Sequence, residues 1–136
     1  MSFQLLDTFQ KKTKICDLKL STVSMEDKEI PWILLIPRIE NIKQINQLPL
    51  DNQLQLMREI NFASSIMEEL FECDRLNVAA IGNKTPQLHI HIICRTEADP
   101  FWPETVWGRE MEKLSPEEND ARANLLIKNF QEKLAR

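Results

Sequence analysis

Hydrophobic and polar positions change rhythm several times along the chain, and each change marks an element. Phe3, Leu5, Leu6 and Phe9 recur at near-helical spacing, so a short helix is expected within residues 1–14. Residues 15–24 alternate at the two-residue period of a strand, and the charged run from Met25 to Glu29 reads as the turn after it. Ile30 to Ile39 is the most apolar run, and Ile33 to Ile36 show no alternation. That predicts a strand covered on both faces, bounded by Pro31 and Pro37 and paired with its predecessor through a turn at Asp27.

Asn41 to Pro49 is a polar connection, after which Asp51 is the expected N-cap of a long helix reaching Glu72. Leu56, Ile60, Ala63, Met67 and Leu70 form its apolar stripe, widened by Leu54, Met57, Ile66 and Phe71. Arg58, Glu59, Glu68 and Glu69 are assigned to the wet side. A strand is expected from Leu76 to Ile81, a bend at Gly82-Asn83, and a second strand from Gln87 to Cys94. Thr96 to Gly108 carries Phe101, Trp102 and Trp107 with two prolines, which reads as an apolar lid, a cleft wall or part of an interface. Ser115-Pro116-Glu117-Glu118 is a capping box that opens a C-terminal helix to Ala135, with Leu126, Phe130 and Leu134 spaced by four and Leu125 and Ile127 beside them.

These elements predict one α+β domain over residues 1–136: an antiparallel sheet of about five strands, a long helix crossing it, and a C-terminal helix.

The strand at Gln87 to Cys94 carries both histidines of the chain. Leu88, Ile90, Ile92 and Cys94 fall on one side, whereas Gln87, His89 and His91 share the other. Two imidazoles at i and i+2 stand about 6.5 to 7 Å apart at Cβ, close enough for one small anionic group to touch both. Spacing alone leaves three readings open: solvated side chains, a zinc site with His89 and His91 as ligands, or a site for phosphate chemistry. The zinc reading lacks a third ligand at a fixed spacing. The following Arg95 is expected to bridge to the acidic loop at Glu97 and Asp99.

Composition narrows the partners. The 136 residues are 43% hydrophobic and 28% charged, the range of globular proteins. A net charge of −4 without a basic stripe disfavours binding to long nucleic acid, though a small phosphorylated ligand needs only a few local donors. No apolar run approaches a membrane span, and no leader pattern precedes a cleavage site, so a cytoplasmic location without membrane partners is expected. Cys16, Cys73 and Cys94 are widely spaced and odd in number, which suggests buried free thiols.

The run Gly82-Asn83-Lys84-Thr85-Pro86-Gln87-Leu88-His89-Ile90-His91-Ile92-Ile93-Cys94-Arg95 resembles the signature of the histidine triad (HIT) superfamily of nucleotide hydrolases and transferases. In that pattern, His-x-His-x-His is followed by two apolar residues. Here Gln87 stands at the first position, His89 at the centre and His91 at the third. Asp99 to Gly108 and Pro31 to Arg38 are similar to segments of a bacterial subgroup that also tends to carry Gln at the first position.

The resemblance implies a HIT-like fold, a homodimer meeting through sheet edges or long helices, and no obligatory metal or other cofactor. It also implies a nucleotide or dinucleotide substrate, cleaved through a nucleotidyl-histidine intermediate on His89. His91 would donate to a nonbridging oxygen; Asn77, Asn83 and Thr85 would line the phosphate site; Gln87 would keep a hydrogen-bonding role but none in proton transfer. A non-catalytic nucleotide-binding or regulatory protein is the alternative.

Overall fold

A computed structural model describes residues 3–136 of the chain, so residues 1 and 2 of the expected amino-terminal helix lie outside the described residues. The elements in order are α1 (Asp7–Gln10), β1 (Thr13–Asp17), β2 (Ser21–Met25), β3 (Trp32–Pro37), α2 (Leu50–Leu70), β4 (Arg75–Ala79), β5 (Ile90–Arg95) and α3 (Pro116–Leu134), with a 3₁₀ turn at Ile45–Gln47 before α2. The strands form one five-stranded sheet in the order β1-β2-β3-β5-β4, every neighbouring pair antiparallel. The α+β class and its sheet are as the pattern predicts.

Several details differ. The alternating stretch at residues 15–24 is two strands, because Leu18 N–H donates to the Ser21 carbonyl at 2.8 Å and closes a hairpin. Alternation carries from Asp17 to Ser21 straight through that turn and slips only at Ser21-Thr22, after it. The amino-terminal helix is a single turn, with Leu6 as its N-cap. Pro49, not Asp51, occupies the N-cap of α2, and Asp51 sits in the first turn, where its charge favours the helix dipole. The helix ends at Leu70.

Glu59 differs as well. Periodicity assigns it to the wet side, yet it is buried, and its carboxylate accepts the backbone amides of Leu20 at 2.7 Å and Ser21 at 3.0 Å. Those bonds satisfy turn amides that would otherwise be buried without partners, and they tie α2 to the β1–β2 hairpin.

The sheet separates two apolar cores. Ile33 and Leu35 of β3 and Ile90 and Ile92 of β5 face α2 and α3, meeting Leu56, Ala63, Met67, Leu126 and Phe130. Removing the fully buried Phe130 ring from this layer would cost about 3–5 kcal/mol. α3 starts where the sequence indicates, since Ser115 and Glu118 form the reciprocal capping box with both bonds at 3.1 Å. Trp32, Leu34 and Ile36 of β3 face the other way and join Phe9, Ile93 and Val106 in a smaller cluster. β3 is therefore covered on both faces, as its lack of alternation requires. The histidines belong to the side of the smaller cluster.

Candidate active site around two histidines

The two-residue period places Leu88, Ile90, Ile92 and Cys94 in the larger core and turns His89 and His91 to the opposite face. β5 itself begins at Ile90, so His89 belongs to the connection of residues 80–89 rather than to the strand. The two rings meet edge to face, their centroids 4.8 Å apart. Neither is solvated: His89 is 6% exposed and His91 7%.

Hydrogen-bond partners fix the tautomer of each ring. His89 Nδ1 lies 2.7 Å from the Gln87 carbonyl, which can only accept, so Nδ1 carries the proton and Nε2 holds the lone pair. His91 is the reverse. The Trp32 indole Nε1–H donates to its Nδ1 at 3.0 Å, so Nε2 carries the proton and donates to the Ile81 carbonyl at 3.2 Å. Both nitrogens of His91 are thus engaged by the protein, while among the described residues Nε2 of His89 has no hydrogen-bond partner and keeps its lone pair.

Burial pushes both imidazoles toward the neutral form. It is the main reason that the His91 pKa falls to about 4, and the neighbouring His89 adds to the fall. His89 is also below the ordinary value, chiefly through burial; the Gln87 and Ile81 carbonyls and the Glu26 carboxylate pull the other way. Glu26 is itself paired with Lys12 at 2.9 Å.

Aromatic rings close the site on three sides. Phe9 lies edge-on to His89 at 4.7 Å, and Trp32 and Trp107 lie edge-on to His91 at 5.6 and 4.6 Å. Trp107 is positioned by the loop after β5. The Arg95 guanidinium, 1% exposed, makes a two-pronged pair with Asp99 at 2.6 and 3.0 Å and also donates to the Asn77 side chain and the Glu104 carbonyl. Asp99 in turn accepts the amides of Phe101 and Trp102, both at 2.9 Å. Arg95 therefore has the structural role expected of it, through Asp99; Glu97 instead donates its amide to Asp74.

Of the residues expected to converge, His89 and His91 meet each other, and Gln87 reaches His89 through its backbone carbonyl. The Asn77 oxygen is held by Arg95, Asn83 is exposed, and Thr85 is half-buried with its carbonyl turned toward Gly82. Gln87 directs its side chain away from the rings: Oε1 accepts the Leu6 amide at 3.0 Å and Nε2 donates to the Gln4 carbonyl at 2.9 Å. Beside it opens a cleft of about 610 Å³ bordered by Gln4, Leu6, Lys43, Pro86 and Gln87.

Gly82 also has a different purpose from the one its sequence suggests. Its φ is outside the left-handed region, and glycine is required by crowding: a Cβ there would stand 2.9 Å from the Thr85 carbonyl oxygen and 3.3 Å from the His89 ring. Phe9, Trp32 and the Ile81 carbonyl are functional neighbours that sequence reasoning missed. The β3–β5 register, which brings Trp32 opposite Ile93 and Leu34 opposite His91, is the information that finds Trp32. Among the described residues, no group of three His, Cys, Asp or Glu side chains could share a metal ion.

A family model described as the HIT domain matches residues 9–98. Similar solved structures include a histidine triad protein from Bradyrhizobium japonicum, 37% identical with a TM-score of 0.88 over 94% of this chain and 98% of that one. One from Marinobacter aquaeolei VT8 is 34% identical, with a TM-score of 0.87 over 95% and 98% of the two chains. One from Sinorhizobium meliloti 1021 is 30% identical, with a TM-score of 0.87 over 93% and 96%. A search of curated proteins found no match. By the span of the family model and these likenesses, the chain belongs to the HIT domain family.

Proposed function

We propose that this protein is a nucleotidyl hydrolase or transferase acting on a nucleoside phosphate, dinucleoside polyphosphate or phosphoramidate bond, with His89 as the nucleophile. The observation that carries the reading is the bond from His89 Nδ1 to the Gln87 carbonyl, which leaves the Nε2 lone pair available for attack. Depressed basicity keeps that lone pair unprotonated near neutral pH. In the first step Nε2 forms a bond to phosphorus, and the bond to the leaving group breaks with its electron pair departing on oxygen or nitrogen. Water then attacks the nucleotidyl-histidine and releases the nucleotide. One water is consumed overall, its hydroxyl ending on phosphorus and its proton on the leaving group.

His91, held neutral with its Nε2–H aimed at the Ile81 carbonyl, is the second member of the site and can transfer that donor to a nonbridging oxygen when substrate is bound. Asn83 and Thr85, in the connection that carries the Ile81 carbonyl, are the residues proposed to border the phosphate with their backbone amides. Asn77 acts on the site through Arg95. The 610 Å³ cleft beside Gln87 has the volume of a ligand pocket and is bordered by Gln87 and the amino-terminal segment, not by the histidine rings. Among the described residues no helix is long and apolar enough to cross a membrane; a cytoplasmic location is part of the proposal. A homodimer is proposed through the outer edge of β4, where Val78 is 45% exposed, or through the exposed Leu54 and Met57 of α2.

One observation favours a second reading, a nucleotide-binding protein without turnover: both rings are almost wholly covered, and the first-position Gln87 is spent on the amino-terminal segment. A panel of adenosine and guanosine phosphoramidates and dinucleoside polyphosphates separates the two. Turnover by the wild type that is lost in His89→Ala, with a nucleotidyl adduct on His89 detected by mass spectrometry, is expected. Binding with equal, negligible cleavage by both proteins would establish the second reading.

A further inference from the structure

The residue at the first motif position makes contacts of an unexpected kind. The Gln87 side-chain amide pairs with the backbone of Gln4 and Leu6 as a neighbouring strand would, accepting one N–H and donating to one carbonyl. Gln4 and Leu6 lead directly into α1, whose Phe9 is 3% exposed and lies edge-on to His89. The segment from Gln4 to Phe9 therefore packs over the nucleophile: the Gln87 amide fastens the backbone of its leading end, and Leu5 and Phe9 seat it on the smaller core. The Gln87 backbone meanwhile sets the tautomer of His89, so one residue fixes both the reactivity of the ring and its concealment.

The histidine face of the sheet also has an unsatisfied group. Ser24 is fully buried, and among the described residues its hydroxyl has no partner. It lies on the histidine face of the sheet, since it is in register with Leu34, which is in register with His91. A buried hydroxyl without a partner is a cost carried by the layer that holds the histidines.

We propose that Gln87 is a latch: its side-chain amide holds residues 4–9 closed over His89, and a phosphorylated substrate reaches Nε2 only when that latch releases. Gln87 is on this view a positioning residue that governs access and does not contact phosphate. The inference rests on the nucleotidyl-transfer reading only in naming His89 as the nucleophile.

The test uses a substitution that leaves Gln87 in place. Leu6 has φ −64° and ψ 154°, a conformation proline adopts, so Leu6→Pro deletes the amide donor to Gln87 without forcing the backbone elsewhere. Leu6→Ala is the control for the lost side chain. The readout is the rate of carbethoxylation of His89 by diethyl pyrocarbonate, followed by peptide mass spectrometry and compared with that of His91. Loss of one neutral hydrogen bond is worth roughly a fivefold rise in the open population, so Leu6→Pro should be modified about fivefold faster than Leu6→Ala. Gln87→Ala should be faster still, and the double variant no faster than Gln87→Ala.

Equal rates in Leu6→Pro and Leu6→Ala, or a wild-type His89 already modified as fast as free histidine, would overturn the latch. Turnover of adenosine 5′-phosphoramidate is measured on the same proteins. If the latch signature is present and no variant turns over any of the panel, the catalytic reading fails and the latch stands.

Discussion

The Trp32 indole N–H stands 3.0 Å from Nδ1 of His91, and this bond decides which nitrogen of that ring carries a proton. A protonated His91 would present N–H to N–H, so the bond opposes ionisation beyond what burial alone does. Trp32→Phe keeps most of the ring packing and removes the donor. We expect the His91 pKa to climb from about 4 toward its ordinary 6.5, by roughly one unit for one hydrogen bond. With only two histidines in the chain, an NMR titration of the imidazole C–H signals reads this directly; an unchanged His91 signal would refute the assignment.

Stability should fall with acidification in a defined window. The unfolded chain takes up protons near pH 6.5, whereas native His91 resists until about 4, so the unfolded state binds more protons between those values. His91 thus leaves stability whole above pH 6.5 and removes it progressively as pH drops to 4, on the order of 3 kcal/mol in all. Urea unfolding at stepped pH should show this slope, and His91→Gln should flatten it.

Asp99→Asn should be among the most damaging substitutions on the site side. Burial alone would raise the Asp99 pKa, but the Arg95 guanidinium and the surrounding amides outweigh it and hold the carboxyl below its usual range. Removing the charge strands Arg95, which is 1% exposed, and breaking a buried pair from one side costs about 3–5 kcal/mol. Trp107 should loosen against His91 at the same time, seen as a weaker near-ultraviolet dichroism. A variant with wild-type unfolding midpoint and an unchanged tryptophan signal would contradict this account.

Gly82→Ala tests crowding against backbone freedom. The added methyl would meet the Thr85 carbonyl oxygen at 2.9 Å, so the connection must shift, at about 1–3 kcal/mol. Because the same methyl presses on His89 at 3.3 Å, catalysis should suffer more than folding, by about ten- to a hundredfold. Calorimetry and turnover measured together separate the two effects.

These sites also explain what could be read in advance. The histidine face was legible because strand alternation is local: Ile90, Ile92 and Cys94 declare the buried side and the remaining positions follow. The capping box at Ser115 was legible for the same reason, since all its partners lie within one turn. Glu59 and Gln87 were not, because what decides their placement is a backbone amide or carbonyl presented by another part of the chain, and backbone groups leave no trace in residue identity. Gly82 was recognised as special for the wrong cause; a missing side chain signals a close approach as readily as a turn. The expectation that Asn77 and Asn83 would face the same point presumed a tight hairpin, whereas the long connection between β4 and β5 carries Asn83 to the surface.

The division of the interior by the sheet has a consequence for how such a protein can change. Most of the aliphatic mass that makes folding favourable lies beneath α2 and α3, away from the imidazoles, so the histidine layer contributes a smaller share of the cohesion. Substitutions around the rings can then remodel selectivity while the helical layer keeps the chain above its melting threshold. A lineage built on this plan is free to experiment on one side of its sheet and to be conservative on the other.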